Sequence, residues 1–181
     1  MRLPLSLVVV LLVAFALSGC AMTSASASVD SERLQAADAP LESVMIVTRF
    51  VNSGGPFEGL LATELSAALR ERGIDTFVRI EPDAQPEFSV EQARKFGLTA
   101  VLRYAFGTTQ IMSTGPTVQA VPRSTSNAAL MLQETETGRA VWRAQVSSSA
   151  TSTDMIRVAK VEANEIIRAL ERDGLIPRLG G

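Results

Sequence analysis

Apolar and polar residues alternate along this chain in three distinct ways, and each spacing predicts a different element. Leu7 to Leu17 is an unbroken apolar run, while Ala21 to about Ala39 is mostly alanine, serine and threonine with scattered charge, closed by Pro40. Ser43 to Phe50 (SVMIVTRF) is β-branched and apolar and predicts a strand. Glu58 to Arg72 then places Leu61, Leu65, Ala68 and Leu69 on one helical stripe, with Gly73 as its stop. Ile74 to Ile80 reads as a second strand; Pro82 and Pro86 mark a turn, and Ser89 caps a short helix through Phe96. Leu98 to Phe106 is a third strand, and Ala128 to Gln133 with Arg139 to Ser147 form a hairpin around the turn Glu134 to Gly138. A last helix, capped among Thr151, Ser152 and Thr153, buries Ile156, Ala159, Ala163, Ile166, Ile167 and Leu170 until Gly174 and Pro177 end it. The order β-α-β-α-β-β-β-α predicts an α/β fold of the mixed α+β kind: one mixed sheet of about five strands with helices packed on it.

The apolar run at the start is too short to span a bilayer and follows a brief segment bearing one positive charge, Arg2, so it has the form of a leader. Leu17, Ser18 and Gly19 are followed by Cys20, the only cysteine of the chain. Small residues allow an extended chain into a peptidase site, and the thiol is the one strong nucleophile nearby. These four residues resemble a bacterial lipobox closely. The resemblance implies diacylglyceryl modification of Cys20, cleavage before it, and acylation of the new amino terminus. Ala21 in place of an aspartate then implies sorting to the outer membrane. The expected organisation is a lipoprotein signal peptide over 1–19, a lipidated Cys20 with a flexible tether over 20–42, and a periplasmic domain over 43–181. Ser31 to Ala37 within the tether has the composition of a short helix.

Charge and chemistry narrow the reading. The formal net charge is −2, with neither sign in blocks, which gives a nucleic-acid partner no electrostatic support. Only Lys95 and Lys160 are lysines; the other basic residues are arginines, suited to planar pairing with carboxylates. There is no histidine, and Cys20 is taken by the lipid, so Cys-His nucleophiles, Ser-His-Asp triads and histidine metal sites are excluded. No cofactor is expected beyond the covalent lipid, and no metal. Glu134 and Glu136, or Asp154, Glu162 and Glu165, are the remaining carboxylates of interest; the first two fall on a turn where solvated acids are common. The loop Asn52 to Gly55 before a helix serves more simply as a turn than as an anion cradle, because no phosphate-loop lysine follows.

Strand parity separates two faces of the sheet. Trp142, Ala140, Ala144 and Val146 share one, expected beneath helices. Arg49, Arg79, Arg103 and Arg143 share the other, with Met45, Val47, Phe77, Val101 and Val141, and are the candidate partner-binding residues. From Tyr104 to Gln133 the only charge is Arg123, with Gly115-Pro116 near the middle, a composition that fits either a protruding hairpin for docking or self-association or an uncharged mobile loop.

Leu130 to Arg143 (LMLQETETGRAVWR), a strand, an acidic Thr-Gly turn and a strand with tryptophan, together with the element order, resembles the envelope lipoprotein family of LpoB, CsgG, PelC and the TolB amino-terminal domain. Auxiliary lipoproteins of ABC-type lipid transporters end in a similar hairpin and helix. The resemblance implies a non-enzymatic, outer-membrane-anchored accessory or scaffold in envelope assembly, export or cell-wall synthesis, facing the periplasm. Its partner would be an envelope protein or further copies of itself, in the latter case as a ring-forming subunit of a secretion or polysaccharide-export conduit.

Overall fold

The computed structural model describes residues 24–37, 40–49, 57–81, 86–113, 122–151 and 154–179. Six strands form one sheet: β1 (Ala25–Arg33), β2 (Ser43–Arg49), β3 (Asp75–Glu81), β4 (Ala100–Ser113), β5 (Pro122–Glu134) and β6 (Ala140–Ala150). Three helices accompany it: α1 (Phe57–Arg70), α2 (Pro86–Lys95) and α3 (Met155–Arg172). The spatial order is β1-β6-β5-β4-β2-β3, with β2 parallel to both β3 and β4 and every other pair antiparallel. The parallel strands come from two successive crossovers. Going out from β2 to β3, the chain leaves α1 on one face; coming back past β2 to β4, it leaves α2 on the other.

The main core lies between the sheet and α1 with α3. Val44, Ile46, Leu102, Leu130, Leu132 and Trp142 meet Leu61, Leu65, Leu69, Ile166, Ile167 and Leu170, all essentially excluded from solvent. Behind β2 and β4 a smaller cluster joins Met45, Val47 and Val101 to Val90 and Ala93 of α2. The carboxy-terminal ends of α1 and α3 are locked by Arg72, whose Nε and Nη2 each lie 2.7 Å from Glu171 Oε1. Both side chains are mostly buried, so this pair is screened less than a surface one.

Several expectations need correction. The flexible tether placed over 20–42 is a strand across Ala25–Arg33, and no helix forms between Ser31 and Ala37. Ala25, Ala27, Val29 and Ser31 turn one side of this strand inward, and its backbone completes the ladder of β6, which would otherwise be an open edge. The sheet therefore has six strands. Helix α2 begins at Pro86, not at a Ser89 cap, since proline's fixed φ and missing N–H suit a first turn. Helix α3 is capped by Asp154, whose Oδ1 accepts from the Arg157 amide at 3.1 Å. Ile156 is 59 % exposed and lies outside the buried stripe, which instead includes Glu162. Val141 was expected on the arginine face. A bulge opposite Leu132 and Gln133 inserts it beside Trp142, so both enter the main core.

Strands β4 and β5 run past their expected ends as a long hairpin paired out to Ser113 and Pro122. A second bulge interrupts it between Phe106 and Thr109, where Gly107 lies so close to β5 that a Cβ would stand 2.7 Å from the Asn127 carbonyl oxygen. Gly107→Ala is expected to cost about 1–3 kcal/mol through overpacking, read as a lower denaturation midpoint at unchanged slope. An unaltered midpoint would mean that the two strands separate freely at this point.

Candidate functional site: an open sheet face

Among the described residues, the sheet face opposite the main core is covered by α2 only at β2 and β4, and the outer surfaces of β5, β6 and β1 carry no cover. Register places residues on this face in lateral rows. One row runs Arg79 (β3), Val47 (β2), Arg103 (β4), Met131 (β5), Arg143 (β6) and Glu32 (β1), each the direct partner of the next. Three of the four candidate arginines therefore share one row, alternating with apolar residues. Two strand steps separate successive arginines, a spacing of about 10 Å. Arg49 stands two residues beyond Val47 on the same strand, opposite Glu81, and its side chain lies outside the described residues.

Arg103 and Arg143 flank a shallow groove of about 650 Å3 whose floor includes Val47, Met131 and the small residues Ala105 and Ala129. Asp30, Glu32 and Gln145 border it. Arg143 clasps one carboxylate oxygen of Glu32 with Nε at 2.9 Å and Nη2 at 2.5 Å. Both side chains are more than half exposed, so the pair contributes little to stability and can exchange for another carboxylate. Arg103, at the side of the groove, and Arg79, on the edge strand, are each half-buried. The arrangement combines the exposed Arg143 guanidinium, acids and apolar residues on one surface, as a recognition surface requires, with Nε and Nη2 of Arg103 shielded from solvent beside it. Beyond the row, Ser28, Asn127, Ser147, Ser149 and Ser26 give the face a hydroxyl- and amide-bearing upper part, tied together by the Ser26–Ser149 and Ser147–Asn127 hydrogen bonds.

The other sequence candidates separate from this surface. Cys20, Leu17, Ser18 and Gly19 lie outside the described residues, as do Asn52 to Gly55 and the Gly115-Pro116 turn. Glu134 folds back onto its own turn, accepting from Thr137 Oγ1 at 2.8 Å and facing Arg139, with Gly138 at φ 71° closing the turn. Glu136 is exposed on the same turn. Asp154 is the α3 cap, and Glu165 pairs with Arg168 one turn along. Trp142, Ala144 and Val146 lie beneath the helices, in the main core.

Of the last-helix carboxylates, Glu162 was named from the sequence, but its place in a buried polar cluster with Tyr104 was missed. Glu162 of α3 is fully buried and accepts a short hydrogen bond from the Tyr104 hydroxyl. Burial pushes its carboxyl above the usual glutamate range, partly offset by bonds from Tyr104 and Ser148. Tyr104 is pushed strongly upward as well, first by burial and then by the Glu162 charge, so it remains the donor. Glu58, buried on the first turn of α1, is likewise raised by burial, and Thr48 of β2 is the direct register partner of Tyr104. One signal was available: Glu162 stands three residues after Ala159 and one before Ala163, inside the buried stripe.

No protein-family model matches the chain, and no curated protein matches it by sequence. Likeness appears in three dimensions. A subunit of the PelC dodecamer from Paraburkholderia phytofirmans aligns with a TM-score of 0.56 at 17 % identity, covering 80 % of this chain and 96 % of that one. The hypothetical protein CT253 from Chlamydia trachomatis gives 0.50 at 11 % identity, covering 74 % and 96 %. Lipoprotein GNA1162 from Neisseria meningitidis gives a weaker 0.45 at 16 % identity, covering 72 % and 96 %. The chain thus has a PelC-like fold, and the resemblance read from its sequence holds at that level.

Proposed function

We propose that this is a lipid-anchored, periplasm-facing lipoprotein of the outer membrane that acts as a non-enzymatic accessory or scaffold in envelope assembly, export or cell-wall synthesis. The observation that carries the reading is the sheet face opposite the main core, where Arg79, Arg103 and Arg143 share one row with apolar residues and Arg143 stands on the strands that α2 does not cover. A surface of this kind recognises carboxylates of a partner through bidentate guanidinium contacts while its apolar floor excludes water. The PelC-like fold and the lipobox resemblance at Cys20 support an envelope location. Among the described residues no helix is long and apolar enough to cross a membrane; in this reading the lipid on Cys20 supplies the attachment.

The test is crosslinking in cells followed by recovery of the captured partner. Alanine at Arg49, Arg79, Arg103 and Arg143 together is expected to cut recovery at least about tenfold while the thermal midpoint stays within a few degrees. Undiminished recovery removes the face as a binding site.

A second reading, a ring-forming conduit subunit, is favoured by one feature. The edge strand β3 leaves Phe77, Val78 and Ile80 exposed, with Phe96 stacked on Phe77 at 5.5 Å between ring centroids. An apolar edge of this kind invites pairing with another chain. The mass of the detergent-solubilised mature protein separates the readings: a monomer at micromolar concentration eliminates the ring.

A further inference from the structure

Several features that the scaffold reading leaves unused gather at one end of the domain. Ser24, where the described chain begins, is tied to Thr151 beyond the end of β6: its carbonyl accepts from the Thr151 amide at 2.9 Å and its amide donates to Thr151 Oγ1 at 3.0 Å. The next row crosses the sheet as Ala25, Ala150, Ser124 and Ile111, and the β4-β5 hairpin continues past it to Ser113 and Pro122. The eight residues joining those two, 114–121, contain no charge. Helix α3 starts only four residues after Thr151, and its first turn presents Met155 and Ile156, 47 % and 59 % exposed. Behind them stand the exposed Arg157 and Lys160, with Asp154 as the cap. The opposite end is densely charged, carrying Glu134, Glu136, Arg139, Glu171 and Arg172.

We infer that the end of the sheet carrying Ser24, the hairpin and the first turn of α3 seats on the bilayer, with Met155 and Ile156 in the interfacial layer and Arg157 and Lys160 toward anionic headgroups. The inference rests on lipidation of Cys20, the reading proposed above. Chain length is what commits the surface to lipid. Four peptide steps separate Cys20 from Ser24, and an extended chain spans at most about 3.5 Å per step, so a lipid on Cys20 holds this end within about 14 Å of the membrane. Exposed apolar side chains backed by basic ones, at that distance, match an interfacial contact.

The experiment uses the full mature protein, purified with its acyl chains and placed in vesicles of phosphatidylethanolamine and phosphatidylglycerol. Two single variants carry a reporter: Ile156→Trp at the proposed contact and Glu136→Trp on the turn at the far end. The native Trp142 is fully buried and supplies a constant background. Ile156→Trp is expected to shift its emission to the blue on entering vesicles and to lose most of its intensity to lipids brominated in the upper acyl chain. Glu136→Trp is expected to do neither. No shift at position 156 in vesicle-bound protein overturns the orientation, and so does a larger response at 136. A shift at 156 that grows with protein concentration in detergent, without vesicles, overturns it in favour of a second copy of the chain. The mass of the same sample reports separately on the anchor: absence of the lipid mass refutes lipidation, whereas the emission of confirmed acylated protein judges the seat alone.

Discussion

Trp142→Ala is expected to be the most damaging single substitution in the fold, costing about 3–5 kcal/mol, since large aromatic side chains leave a cavity that the core refills only in part. For a domain of this size that lowers the thermal midpoint by about 10 °C or more. The loss has two components. Trp142 is fully buried at the centre of the main core, and its Nε1 donates to Asp173 Oδ2 at 2.7 Å. Asp173 also accepts from Ser31 of β1 at 2.6 Å, so one carboxylate joins the hairpin strand, the edge strand and the end of α3. Trp142→Phe keeps most of the volume and removes the donor, and is expected to cost about 1–2 kcal/mol by loss of a charge-assisted bond. Equal effects of phenylalanine and alanine would show that volume is irrelevant here. Burial pushes the Asp173 carboxyl up, but the bonds from Ser31 and Trp142 and the charge of Arg172 outweigh it and hold the group below the ordinary aspartate range. Its stabilisation is therefore present above the unfolded-state value and is lost as pH falls through the lower, folded one.

The second large effect has the opposite sign. Glu162→Gln is expected to stabilise the domain by about 1–3 kcal/mol at neutral to alkaline pH, because the amide keeps an acceptor for Tyr104 without burying a charge. Burial raises the Glu162 carboxyl, so its proton is held more tightly in the folded protein than in the unfolded chain. Stability from this group is complete below the unfolded-state value, near about 4.3 for glutamate, and is lost as pH rises through the raised folded value. Urea titrations at successive pH values should then show the parent weakening toward alkaline pH relative to the variant. Parallel curves for the two proteins would sink the claim. Glu58 is raised for the same reason and acts on Tyr104 electrostatically, so Glu58→Gln with Glu162→Gln should flatten the profile further.

How much of this was readable beforehand depends on what each element draws its stability from. Strand β2 and helix α1 announce themselves because β-branched apolar runs and a leucine stripe carry both the local preference and the burial. Strand β1 does not: ASASVDSER has little apolar content, and it becomes a strand through the ladder of β6 and hydroxyl pairs such as Ser26–Ser149. The outer halves of β4 and β5 were legible as a protruding hairpin, one of two readings of the nearly uncharged stretch between Tyr104 and Gln133, but not as continuations of those two strands, because the glycine, proline and asparagine among them carry little strand preference. That the arginines share a face was legible, since parity alone assigns a face once the strands are known, whereas the row joining Arg79, Arg103 and Arg143 needed the register. The place of Val141 was not legible, because a bulge breaks parity and leaves no mark in the residues themselves. Glu162 was named among the carboxylates of the last helix, but its burial was not foreseen, because a carboxylate is ordinarily a surface residue.

The clasp between Ser31 and Asp173 joins positions 142 apart in sequence. During synthesis the first strand has no partner until β6 emerges, and no clamp until the whole of α3 is made, so this domain cannot close from its amino end onward. Docking of the first strand is therefore the last act of assembly, and the chain that precedes Ser24 is fixed to the domain only once its final helix is in place.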